Sequence, residues 1–126
     1  MRMIWIAFLM ALACPAPAQN EQPQANVTHL GGQLYMLEGR GGTIAFSAGE
    51  DGVAMVDAQY APMTPGILAA VGEVTDQPLR YVINTHWHGD HTGGNANLAG
   101  EGAIIVAHDN VRRRMSTEQF LSLIHI

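Results

Sequence analysis

Residues 80–95, RYVINTHWHGDHTGGN, decide how the rest of the chain is read. The first five, RYVIN, have strand character, and they deliver the chain directly into Thr85-His86-Trp87-His88-Gly89-Asp90-His91-Thr92-Gly93-Gly94. Three of the six histidines of this 126-residue sequence fall between positions 86 and 91. In an extended stretch, residues two apart face the same side with Cα atoms about 6.5 to 7 Å apart, so His86 and His88 can converge on one metal ion. Gly89 permits a bend, after which Asp90 and His91 can face a second ion, and oxygen plus nitrogen donors suit zinc or iron. Two ions about 3.5 to 4 Å apart would share a water and lower its pKa towards neutrality, which is the requirement of metal-assisted hydrolysis. Solvated loop histidines, or a satisfied core group, would account for a lone His. They do not account for four ligand-type side chains in six positions after a buried strand.

Outward from this segment, short apolar runs alternate with glycine. Runs at 33–38 (QLYMLE), 43–48 (TIAFSA) and 52–57 (GVAMVD) predict consecutive antiparallel strands, with the first strand starting near Val27. Asp51-Gly52 suits a tight hairpin, because both residues tolerate positive φ. Thr64 as N-cap and Pro65 at the first helical position open a helix to about Val74, with Ile67, Leu68 and Val71 on its apolar face. Residues 103–107 (AIIVA) predict a further buried strand, followed by a helix starting near Asp109 as N-cap. Antiparallel strands followed by strand, helix, strand, helix imply an α/β fold in which a mixed sheet is covered by helices on one face.

With 48% hydrophobic and 13% charged residues, the composition gives one small domain core, and disorder, collagen and coiled coil are excluded. A net charge of −5 gives no electrostatic basis for nucleic-acid binding, so the expected partner is a small molecule. Residues 1–18 carry Arg2, an apolar run at 4–13 and Ala16-Pro17-Ala18, a signal-peptide profile with cleavage expected after Ala18. The apolar run is too short to cross a bilayer as a helix. Residues 11–14 (ALAC) offer a second route, lipidation at Cys14 of a bacterial lipoprotein; without it no membrane contact is expected. The protein is thus expected to be exported, periplasmic or secreted. Residues 19–26 read as a linker and 27–120 as the folded part. The tail at 121–126 (LSLIHI) resembles translated adapter sequence and is given no structure.

The HxHxDH pattern of His86, His88, Asp90 and His91 after a hydrophobic strand, with Gly93-Gly94 following, resembles the metallo-β-lactamase-fold metallohydrolases. The resemblance runs from about Val27 to Arg114. It implies the first half of an αββα sandwich, with His86 and His88 as ligands of a first zinc. Asp90 and His91 would then hold a second zinc, and Asp90 would also orient the attacking hydroxide. Asp57 matches an earlier acidic position that supports the metal loop from behind; read from the residues alone, it could equally cap the turn at 59–63. The family's remaining ligands, a His for the first zinc, a bridging Asp and a His for the second, are expected beyond Arg114. This stretch alone is therefore expected to hold metal weakly, to catalyse little and to expose the sheet face meant for its other half.

Other side chains have plainer readings. Trp87 faces away from the ligands by alternation and packs rather than stacking on substrate. Asn84 and Thr85 are expected to hydrogen-bond the loop, His108 to sit at a helix start or the surface, and Arg112, Arg113 and Arg114 to splay around a solvated helix. Gly93 and Gly94 are geometric, letting a short helix begin at Asn95. The activity expected is hydrolysis of an ester, thioester, lactone or β-lactam type substrate by a metal-activated water, with phosphoesters and sulfate esters also within the family's range. Iron in the same cage would instead give an oxidoreductase, such as a persulfide dioxygenase or a flavodiiron-like protein. A third reading is a non-catalytic metal-binding module.

Overall fold

The computed structural model describes residues 24–117. The expected signal segment at 1–18, Cys14, most of the linker, and the tail at 121–126 lie outside the described residues.

Six strands form a single sheet in chain order: β1 (Asn26–Gly31), β2 (Leu34–Gly39), β3 (Gly42–Gly49), β4 (Gly52–Val56), β5 (Leu79–Asn84) and β6 (Ile104–Ala107). The first four pair antiparallel through short turns, whereas β4, β5 and β6 run parallel. Helix α1 (Thr64–Gly72) joins β4 to β5, α2 (Gly89–Thr92) and α3 (Asn95–Gly100) join β5 to β6, and α4 (Asp109–Met115) follows β6. The mixed sheet expected from the sequence is the one observed.

Period-two alternation sorts the strand residues onto two faces. Leu37, Ile44, Phe46, Val53, Met55 and Val82 point to one face and are almost fully buried, together with Ile67, Ala70 and Val71 of α1 and Leu98 of α3. That is the core, and the helices cover only this face. On the opposite face Leu34, Tyr81, Ile83, Ile104 and Val106 stand exposed, Ile104 at 59%. The sheet thus carries an apolar surface on the side away from the helices.

Three local expectations are corrected. The hairpin between β3 and β4 turns on Glu50-Asp51, because Gly49 pairs with Gly52 in register. Gly52 instead opens β4 at φ 118°, where a Cβ would press on Pro78 O and the Arg80 side chain. Thr64 is not the N-cap of α1: a 3-10 turn, Ala61–Met63, runs straight into the helix and the cap is Met63. The Thr64 N–H already bonds Ala61 O, and its hydroxyl accepts from Asn97 Nδ2 at 3.2 Å instead. At α4 the cap is His108, whose Nδ1 accepts from the Asn110 N–H at 3.1 Å, so Asp109 lies inside the first turn. His108 thus takes the helix-start role expected for it.

Met55 is fully buried at the centre of the sheet, whereas Gly72 ends α1 with open space where a Cβ would stand. Met55→Ala is expected to cost about 2 to 5 kcal/mol by urea unfolding, from lost burial plus the cavity left behind. Gly72→Ala should instead stabilise by about 0.4 to 1 kcal/mol, chiefly by restricting the unfolded chain.

Candidate metal centre

The site lies at the ends of the neighbouring parallel strands β4 and β5. Where β4 stops, Asp57 and Gln59 adopt left-handed backbone angles, φ 68° and 50°. Such angles are uncommon outside glycine, although Asp tolerates them better than bulky residues do. They swing the chain out of the sheet and leave the Asp57 side chain buried beside the loop that follows β5. This loop holds Thr85, His86, Trp87 and His88, and then tightens into α2, which carries Asp90 and His91.

Backbone bonds lock the two loops together. Ala58 N donates to His91 O at 2.7 Å and Gly94 N to Gln59 O at 3.0 Å. Gly93 and Gly94 are needed for closeness rather than for unusual φ, since both keep right-handed helical angles. A Cβ on Gly93 would sit 2.6 Å from Gly89 O and 3.0 Å from Gln59 O, and one on Gly94 would collide with the Ala58 carbonyl. Asn84 and Asn95 pair amide to amide at 2.7 and 3.1 Å, and Asn84 Nδ2 also reaches His91 O at 3.3 Å. Asn84 and Thr85 therefore hold the loop as expected.

Asp57 decides between its two readings by its partners. Its Oδ1 accepts the Thr85 N–H at 2.8 Å, and its Oδ2 accepts the Thr85 hydroxyl and pairs with His91 Nδ1, each also at 2.8 Å. The turn at 59–63 receives none of these bonds. An ionised carboxylate only accepts, so in the neutral ring His91 Nδ1 carries the proton and Nε2 the lone pair. The Thr85 hydroxyl spends its one hydrogen on Asp57, so towards His86 Nδ1, at 3.0 Å, it accepts. His86 is thereby also protonated on Nδ1, and its Nε2 is the bare nitrogen.

The ligand-type atoms converge on the exposed side of this arrangement. One donor atom each from His86, Asp90 and His91 lies within 4.8 Å of the others. The rings of His86 and His91 have centroids 3.9 Å apart, and His91 Nε2 is 3.4 Å from Asp90 Oδ2. His88 stands outside that trio, but its Nδ1 is 3.1 Å from His86 Nε2. All four predicted residues are thus together, with His86 touching both predicted pairs. Burial, reinforced by the neighbouring His91 and His88, holds His86 below its ordinary value of 6.5, against the opposing pull of Asp57 and Asp90. Its imidazole is accordingly neutral at pH 7, the form that binds metal.

Two participants carry no sequence signal of their own. Gln59 is fully buried and donates from Nε2 to Gly42 O at 2.5 Å, tying the loop to the β2–β3 turn. In that turn a Cβ on Gly41 would meet the Tyr60 ring at 2.6 Å and the Asp90 Cβ at 3.5 Å, so the turn abuts the site.

Comparison with known proteins identifies the family. The profile of the metallo-beta-lactamase superfamily matches residues 31–124, and the chain belongs to that superfamily. A "Lactamase-like protein nscB" from Trichophyton equinum is 30% identical over 105 residues, which cover 80% of this chain and 32% of that protein. A "Beta-lactamase-like protein 2 homolog" from Caenorhabditis elegans is 32% identical over 71 residues, covering 56% of this chain and 21% of its own length. The chain therefore spans only a fifth to a third of these curated relatives. Among solved structures, the fold is similar to MEM-A1, a subclass B3 metallo-beta-lactamase from a soil metagenome library. The TM-score is 0.67 at 21% identity, covering 79% of this chain and 39% of that one. FIM-1 from Pseudomonas aeruginosa, in its mono-zinc form, gives 0.65 at 22% identity, covering 76% and 47%.

Removing Asp57 leaves the Thr85 N–H and the His91 Nδ1–H without their acceptor. Asp57→Ala is expected to destabilise the fold by about 1 to 3 kcal/mol per buried donor left unpaired, read by denaturant unfolding. A lowered folded pKa means that the unfolded chain binds more protons, so the stability carried by His86 is full above about pH 6.5. It should be lost as pH falls through the folded value, and an NMR titration should find the His86 midpoint below that of a model peptide.

Proposed function

We propose that the protein is a zinc-dependent hydrolase acting by metal-activated water on a small ester, thioester, lactone or β-lactam type substrate. His86 and His88 hold one zinc, and Asp90 and His91 a second. The observation that carries this reading is the buried Asp57, which bonds His91 Nδ1 directly and reaches His86 Nδ1 through Thr85, leaving the Nε2 atoms of both rings for a metal. The spacing fits the group. Two nitrogens on one tetrahedral zinc, each bonded at about 2.0 to 2.1 Å, stand roughly 3.3 Å apart. His86 Nε2 and His88 Nδ1 are 3.1 Å apart, and His91 Nε2 and Asp90 Oδ2 3.4 Å.

When bound, zinc supplies the Lewis acidity that brings the pKa of water near neutrality. The chain's own residues do the rest. Asp57 and Thr85 orient the two imidazoles, at no cost in ordering at the moment of reaction. Asp90, with a side chain 36% exposed, offers a carboxylate oxygen to accept a hydrogen bond from the attacking water and to orient it. The membership in a superfamily whose solved members include metallo-beta-lactamases supports the hydrolytic reading. The signal-like residues 1–18 support export to the periplasm or the medium.

Zinc titration against a chromophoric chelator tests the assignment. His86→Ala should weaken binding at least tenfold, since it deletes a ligand that touches both pairs, and a chelator should strip the metal from the parent. Zinc stoichiometry and affinity unchanged in His86→Ala would contradict the ligand set, and iron recovered in place of zinc would move the protein to the oxidoreductase reading.

A further inference from the structure

His86 and His91 are each oriented from behind by Asp57, directly or through Thr85. His88 has no such support. Among the described residues its ring meets only the rings of His86 and Trp87. Trp87 packs against it edge-on, with centroids 4.9 Å apart and planes at 60°. The indole is held in turn from α4, where the guanidinium carbon of Arg114 stands 5.4 Å from the Trp87 ring centroid. That is within the roughly 6 Å at which a cation is attracted to an indole face.

Helix α4 is placed to deliver this contact. His108 caps its start, and Val111 is its buried residue. Arg114 follows Val111 by three positions and so shares its side of the helix. Among the described residues no carboxylate pairs with Arg114, which leaves the cation to the indole. The solvated face expected for the three arginines is thus broken at this one, and the packing role expected for Trp87 acquires a definite partner.

We infer that Arg114 is a positioning residue for the metal centre, setting the His88 ring through Trp87 as Asp57 sets His86 and His91. This rests on the zinc reading above and extends it, because it makes the helix after β6 part of the apparatus that shapes the site. A planar guanidinium suits the task, since it stacks on an aromatic face and loses little hydration in doing so.

The test follows zinc affinity and tryptophan emission together in the full chain. The background is Trp5→Phe, which leaves Trp87 as the only indole. Arg114→Ala should shift Trp87 emission and weaken zinc binding about two- to fivefold, the range for loss of an exposed cation–π contact. Arg114→Lys, which keeps the cation but not the planar group, should restore both signals in part and Arg114→Gln neither, while Arg113→Ala on the same helix should change nothing. A parent that binds zinc, with Arg114→Ala binding it equally and emitting identically, would overturn this inference alone. A parent that binds no zinc would overturn the metal reading and this inference with it.

Discussion

A single buried carboxylate holds the site together. Asp57 receives the Thr85 amide, the Thr85 hydroxyl and the His91 ring on its two oxygens, all at 2.8 Å. These bonds reach across 28 and 34 residues of sequence, and they fix which nitrogen of each of two imidazoles carries a proton. A metal site built from histidines needs that choice made beforehand, because a ring with the wrong tautomer presents a hydrogen where a lone pair is required. Burying an acidic group is costly unless it is fully bonded. Here the cost is offset by three donors that belong to the structure it organises.

The fold exists to bring that carboxylate to its partners. Strands β4 and β5 run parallel, so both end at the same edge of the sheet, and Asp57 and Thr85 leave it side by side. The crossover through α1 covers one face of the sheet and supplies much of the core. Ligand sites in open α/β sheets lie outside the carboxyl ends of the strands, and the same logic operates here. Left-handed angles at Asp57 and Gln59, and two glycines pressed against neighbouring carbonyls, are the local strain and crowding that this convergence requires.

Much of this was legible in the sequence because it is local. Alternating apolar residues and glycine turns announced the strands, and the His86 to His91 spacing announced a cluster of ligand-type side chains directly after β5. The role of Asp57 is not legible in the sequence, because an acidic residue at a strand end looks the same whether it caps a turn or reaches a loop 28 residues on. Helix starts were displaced for a similar reason. Thr64 and Asp109 have cap chemistry, but an upstream 3-10 turn and the ring of His108 took the position first. The contact of Arg114 with Trp87 has no sequence signal, since it depends on how α4 lies against the loop.

The centre depends on the tautomers of two rings, and nitrogen-detected NMR of the full chain, with histidine side chains labelled and no metal added, reads them directly. His86 and His91 should both be protonated on Nδ1 and bare on Nε2 near pH 7.5. Either ring found protonated on Nε2 instead would contradict the claim that Asp57 presets the centre.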